Sequence, residues 1–406
     1  MNTITQKDKE ILRELAKKQM EYANTPENQR RNDFWYRHND LQGERPLVTI
    51  EERFFMQDLA RPLSCETEKG RAFESQIVQN IIVREDIDDD RATPDFFSVL
   101  HTCWFQPFGY DIEKKSPEGS IGYQFAHPVK DLGQDWDKIR ESKWGFDTND
   151  DDFALAKEVF SNIMPVKRIS DYPKASLTQQ LVKLMGMETL YFSMYDYPEL
   201  LTQLLSRLTD EIISFYMEME QKGLLITNNQ NQLVAQGTYG QTNSLTYKEN
   251  ASLKDMWGYV DSQETVSISP DLFEELIFPH YKKIIDMCGL INYGCCEPVH
   301  SIWDNCLSKC SNIRKLSISP WCDEEFIGDR LRNTSVIYHR KPSPNLVGFF
   351  GAFDETAYAQ EIVKTLKAAK GCKLEFSLRD IYSLNGEKDR AKKAIQIIGV
   401  MIDKYW

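Results

Sequence analysis

CGLINYGCC, residues 288–296, reads as a short buried strand that ends in a glycine turn and a pair of adjacent cysteines. The text that follows repeats the same kind of unit. A helix is expected from about Val299 to Cys310. The strand RKLSIS (314–319) then leads through Pro320 to a helix near Asp323–Arg332. TSVIYH (334–339) is followed by a loop and a helix over Thr356–Lys370. KLEFSL (373–378) is followed by a closing helix, Lys388–Lys404. Strands alternating with helices across short connections imply a parallel sheet, and recurrence over this length favours a (β/α)8 barrel over an open doubly wound sheet. No glycine-rich dinucleotide fingerprint or phosphate loop accompanies the series.

Upstream, LTQQLVKLMGMETLYFSMYDYPELLTQLLSRLTDEIISFYMEMEQKG (177–223) spaces its apolar residues by three and four, as two helices broken near Tyr197-Pro198. From Phe97 to Asp152, aromatics alternate with glycine, proline and acids, which fits irregular strands and long loops. The first hundred residues mix an amphipathic helix with the polar stretch DFWYRHNDLQGERPLVTIEERF and the acidic run REDIDDDRATPD. The expected organisation is an α-helical and irregular amino-terminal extension over 1–95, packed on an α/β (β/α)8 TIM-type barrel over 96–406.

Composition narrows the function. The chain has 406 residues, 41% hydrophobic and 12% aromatic, enough for a large buried core. Its 49 basic and 62 acidic residues leave a formal charge of −13, the wrong sign for neutralising phosphates, so nucleic acid and anionic membranes are not expected partners. MNTITQKDKEILRELAKKQ lacks a secretory apolar core, and no run of about 18 apolar residues occurs, so a cytoplasmic protein is expected. Nine cysteines, an odd count with two adjacent, suit reduced thiols better than a disulfide framework.

In a barrel, reactive groups stand at the carboxyl ends of strands. After INYG come Cys295, Cys296, Glu297 and, close behind, His300, the ligand types that Zn²⁺ prefers, although the spacing is that of no zinc ribbon or finger. The alternative is a cysteine packed in the barrel wall as a small hydrophobe. Trp321 follows KLSISP at the mouth. His339, Arg340 and Lys341 follow VIY as binders of a carboxylate or phosphate, or as a solvated basic loop. Alternation in KLEFSL puts Lys373, Glu375 and Ser377 on one face, so Glu375 is either salt-bridged, the default, or a metal ligand. Gln263 and Glu264 lie with Asp261 in a loop ahead of the helix that starts at Ser269-Pro270. Glu264 suits a general acid and Gln263 a holder of a substrate amide or hydroxyl, or both are ordinary loop polars. His280 reads as a structural histidine, and His38, His101 and His127 have no ligand-spaced partners.

SQETVSISPDLFEELIFPHYKKIID, INYGCCEPVHSIWD, IRKLSISPWCDEE, YHRKPSP and LEFSLRDIYSL together resemble, in order, the uroporphyrinogen decarboxylase-like superfamily, and more narrowly a bacterial branch found with corrinoid proteins. The resemblance covers Leu177 to the carboxyl terminus well and the earlier half loosely. It implies a (β/α)8 barrel and an activity that is either porphyrinogen decarboxylation or methyl transfer to or from a corrinoid. The decarboxylases' amino-terminal arginine-rich motif is absent, its nearest basic elements being Arg45-Pro46 and Arg71. The methyltransferases' His-x-Cys zinc motif is matched only in its cysteine, by Tyr293-Gly294-Cys295-Cys296, and their later cysteine position resembles Glu375.

The resemblance therefore implies a methyltransferase component of a corrinoid-dependent system. Zn²⁺ would be held by Cys296 and Glu375 with Cys295, Glu297 or His300. Glu264 would protonate the departing group, Gln263 would position it, and Gln236 and Tyr239 would contact a small methylated substrate. A separate corrinoid protein would be the partner, and a homodimer the assembly. The runner-up is a metal-independent decarboxylase with Arg340 and Lys341 as carboxylate clamps. A third reading is a noncatalytic barrel that binds a corrinoid or other tetrapyrrole, its cysteine pair merely packing. A vicinal disulfide between Cys295 and Cys296 is a minor redox alternative.

Overall fold

The computed structural model describes residues 3–115, 124–349 and 351–406. Its centre is a parallel sheet of seven strands: β1 (Leu47–Ile50), β2 (Lys174–Ala175), β3 (Trp257–Val260), β4 (Leu290–Tyr293), β5 (Ile313–Ile318), β6 (Ile337–Arg340) and β7 (Lys373–Leu378). The order across the sheet is β1-β7-β6-β5-β4-β3-β2, every ladder parallel. Among the described residues the ladders make a seven-stranded parallel α/β sheet, and no ladder joins its outer strands β1 and β2.

The four strands of the closing series fall where apolar periodicity puts them, and so do the helices Glu324–Leu331, Glu355–Ala368 and Arg390–Tyr405. The helix expected at Val299–Cys310 is reduced to His300–Trp303 and a short 3-10 turn at Leu307–Lys309. The helical pair upstream breaks at Tyr197 because Pro198 opens the second helix without a free N–H.

The amino-terminal segment is no mere extension, since LVTI supplies β1, paired with the last strand in the register Leu47↔Glu375 and Thr49↔Ser377. Four consecutive buried residues, three of them β-branched, make a strand inside a stretch whose flanks are polar. The acidic run then satisfies its free edge. Asp90 Oδ2 accepts the Val48 N–H at 2.8 Å and Asp89 Oδ2 the Ile50 N–H at 3.1 Å. An edge strand covered in this way cannot recruit another chain.

One face of the sheet is apolar: Val48, Leu316, Tyr338, Leu374 and Phe376 pack against Ile362, Leu366, Ile398 and Ile402 of the covering helices. The other is polar and equally buried, carrying Thr49, Asn292, Lys315, Ser317, His339, Glu375 and Ser377. Its centre is the carboxylate of Glu375, which accepts from Lys315 Nζ at 2.9 Å and lies 3.1 Å from His38 Nε2 and 3.6 Å from His339 Nδ1. Burial alone would raise its pKa, but Lys315, then the two histidines, hold it well below the usual carboxylate range. The Lys315 ammonium also faces the rings of Trp35 and Trp257 at 5.2 and 5.5 Å. His38, which has no ligand-spaced partner in the sequence, is thereby tied to the sheet. Glu375→Gln leaves a buried ammonium without its counter-charge, and we expect a loss of about 3–5 kcal/mol in unfolding free energy, read from the urea midpoint.

Candidate functional site

The carboxyl ends of the strands gather the charged groups, as a parallel sheet dictates. Glu51 follows β1, Asp261 follows β3, Lys341 follows β6 and Arg379 follows β7, while Cys295 comes two residues after β4. Gly294 makes the turn before Cys295 at φ +99°, where an added Cβ would meet the Ser317 side chain at 3.1 Å. Gly237 does similar service at φ +79°, its carbonyl accepting from Thr49 Oγ1 at 2.6 Å and Ser377 Oγ at 3.0 Å. It thereby lays the loop holding Gln236 across the polar face.

Cys295 is the focus. Its sulfur receives the Gln236 Nε2–H at 3.0 Å, faces Arg379 Nη1 at 3.7 Å and lies 3.5 Å from Cys296 Sγ. Lys341 Nζ donates to Gln236 Oε1, which turns the amide so that its N–H₂ end meets the thiol. The same ammonium lies 3.3 Å from the Cys295 carbonyl, and Arg379 is held by Glu51 Oε2 at 2.8 Å. The Cys296 hydrogen bond, followed by the Lys341 and Arg379 charges, outweighs burial and brings the Cys295 pKa down to about 4. Donation by Cys296 to that thiolate, with burial, moves its own pKa up.

Two carboxyls complete the cluster. Glu297, fully buried, accepts the Ser262 N–H at 2.9 Å and the Cys295 N–H at 2.7 Å, and burial raises its pKa. Asp261 accepts the Tyr259 hydroxyl at 2.6 Å through Oδ2, and its buried Oδ1 has no partner. Burial, then the charges of Glu297 and Cys295, push the Asp261 pKa up to about 8, so it carries a proton at neutral pH. Asp261, Gln236 and Arg379 line a cavity of about 740 Å³ with Tyr172, Tyr239 and Tyr259. That volume suits a small organic ligand.

Of the residues singled out in the sequence, Cys295, Cys296, Glu297, Gln236 and Lys341 come together here, and Tyr239 lines the same cavity. Gln263 and Glu264 form a short 3-10 turn just beyond Asp261. Glu264 accepts from Thr178 Oγ1 at 2.8 Å, burial raises its pKa, and neither residue lines the cavity. Trp321 is 72% exposed. His339 is buried within the sheet against Ser377 Oγ at 2.8 Å, where burial brings its pKa down to about 3, so it offers no cation to a substrate.

The expected zinc set is not assembled. Glu375 is committed to Lys315 and His38, and the His300 ring accepts the Asp323 N–H at 3.2 Å. Among the described residues no three His, Cys, Asp or Glu side chains converge as a metal cage. The Arg340–Lys341 clamp is likewise split, because alternation turns Arg340 to the helix side, where it pairs with Glu324 and Glu361.

Asp261 and Arg379 emerge only in three dimensions. The available signal was position alone, since each directly follows a strand. Among the described residues no helix is long and apolar enough to cross a membrane.

No family model matches the chain, and no curated protein matches it by sequence. Among solved structures, a methyltransferase from Methanosarcina mazei is similar over 73% of this chain and 76% of that one, with 12% identity and a TM-score of 0.39. A likeness at that level carries no argument about fold or activity.

If Gln236 and Lys341 hold the Cys295 thiolate as described, Gln236→Leu and Lys341→Met will each move the pH of half-maximal iodoacetamide labelling at Cys295 upward. The direction is toward the value of about 8.5 for a free cysteine, and peptide mass mapping checks it.

Proposed function

We propose that the protein is a methyltransferase that takes a methyl group from a small methylated compound and exchanges it with a corrinoid on a separate protein. The observation that carries this reading is the buried Asp261 carboxyl on the wall of the cavity, where burial raises its pKa, with the Cys295 sulfur behind Gln236 and Arg379 of the same wall. Demethylation needs a proton for the departing heteroatom, and Asp261 holds one on a carboxyl whose Oδ1 has no protein partner. The Tyr259 hydroxyl fixes the orientation of that carboxyl, and Gln236 and the cavity tyrosines border the space where the substrate would lie. The corrinoid, when bound, supplies the cobalt that receives or returns the methyl group. No step is routed through zinc, because Glu375 and His300, expected to complete the set around the cysteine pair, are engaged elsewhere.

The order of motifs from Leu177 onward, and their resemblance to corrinoid-linked methyltransferases, support the same reading. That resemblance implies closure of the sheet into a (β/α)8 barrel. The parallel pair Phe97–Leu100 and Val166–Ile169 and the buried run at 224–229 are further material for staves.

A proton donor favours methyl ethers and thioethers, whose leaving atoms need protonation, over quaternary ammonium compounds, whose amines leave neutral. Mixing the protein with cob(I)alamin and each donor class, and following loss of the cobalt(I) absorbance, tests this. Methylcobalamin should form with ethers or thioethers; rates equal to protein-free controls for every donor would defeat the proposal. As pH rises through about 8, Asp261 loses its proton and the rate should fall. Asp261→Asn should lower kcat about 10²–10⁴-fold and abolish that alkaline limb.

A further inference from the structure

We propose that Cys295 and Cys296 form an exchange site for low-molecular-weight disulfides, with Cys295 as the attacking sulfur and Cys296 as the resolving one. The argument is geometric and independent of methyl transfer. Three groups surround Cys295 Sγ: two obligate donors, the Gln236 amide N–H at 3.0 Å and the Arg379 guanidinium at 3.7 Å, and the Cys296 thiol at 3.5 Å, which takes the donor role once the first two have made Cys295 the acceptor. A sulfur so surrounded accepts rather than donates, so the pair holds one proton and that proton sits on Cys296. Two of the three groups, Gln236 and Arg379, also line the 740 Å³ cavity, so a small disulfide held there is one side chain away from the buried Cys295 sulfur, and Cys296 beside it is half-buried.

The other seven cysteines lack this arrangement. Six are buried and Cys103 half-buried, all are free thiols, and burial raises the pKa of each. Cys295 is buried as well, but its donors and cations offset that burial, and the other seven lack such a set.

The steps balance. The Cys295 thiolate attacks one sulfur of RS–SR, forming a Cys295–SR mixed disulfide and releasing RS⁻. With the Cys295 charge consumed, the main influence keeping Cys296 protonated is gone, while Lys341 still favours a thiolate there. Cys296 gives its proton to the released RS⁻ and attacks Cys295 Sγ, expelling a second RS⁻, which solvent protonates. The cysteine pair loses two electrons and its single proton, solvent supplies the second proton, and the external disulfide is reduced to two thiols. Adjacent Cα atoms lie about 3.8 Å apart, short of the usual 4.4–6.8 Å for a disulfide, so the vicinal bond is strained and readily reduced again.

Glutathione disulfide is the probe, applied to the full-length reduced protein with intact-mass and peptide-map readout. The wild type should lose the mass of two hydrogens, retain no glutathione and place both modified cysteines in one peptide, all reversed by dithiothreitol. Cys296→Ser should trap glutathione on Cys295, and Cys295→Ser should leave Cys296 unreacted. Gln236→Leu, which keeps both thiols, should slow the first step tenfold or more. Persistent glutathionylation of the wild type, equal reaction at Cys296 in Cys295→Ser, or no reaction at either sulfur would each overturn the assignment.

Discussion

The buried carboxylate of Glu375 is the interaction on which the rest of the molecule depends. A parallel sheet covered on both faces has no water for a charge at its centre, and an isolated carboxylate there costs several kcal/mol. Glu375 is tolerated because Lys315 reaches it across the sheet at 2.9 Å and His38 descends on it from a helix of the amino-terminal segment at 3.1 Å. That contact couples the first forty residues to the last strand, as does the ladder of β1 on β7. It also gives the polar face a reason to exist, because Thr49, Ser377, His339 and Asn292 can be buried only in a layer of mutual hydrogen bonds.

Above that layer, the site is an exercise in charge balance. Glu297 and Asp261 would repel a neighbouring thiolate if both were ionised. Burial raises the pKa of both, while Lys341 and Arg379 supply the positive charge that the Cys295 sulfur needs. The cations are themselves restrained, Lys341 by Gln236 and two carbonyls and Arg379 by Glu51. No group in the cluster can titrate without disturbing the others, and the Asp261 carboxyl, with one oxygen unpartnered, is the member best placed to exchange a proton with a ligand. The loop that brings Gln236 to the sulfur is carried on Gly237, where the left-handed backbone and the approach of Ser377 leave no room for a side chain.

Much of this was legible from residue order. Apolar runs of four to six residues bounded by turn residues located β4 to β7, and Tyr197-Pro198 located the helix break, because strand and helix periodicities are local properties. Alternation in KLEFSL put Glu375 on the face opposite Leu374 and Phe376, with a salt bridge as the expected state, and that is its state. The cysteine pair was visible because it directly follows a strand. β1 was hidden inside a polar stretch, and Arg340 could not be separated from His339 and Lys341 until the sheet turned it outward.

The sequence by itself determined most strands and helices of the carboxyl-terminal half, that its sheet is parallel, and that thiols and charges stand at its carboxyl end, since each follows from spacing along the chain. Only the tertiary structure decided which partners those groups meet. Glu375 went to Lys315 and His38 rather than to a metal, Cys295 to Gln236 and Arg379, and Asp261 rather than Glu264 to the cavity. The physical reason is that hydrogen bonds and ion pairs form within about 3–4 Å in space, whereas these partners lie tens to hundreds of residues apart in the chain.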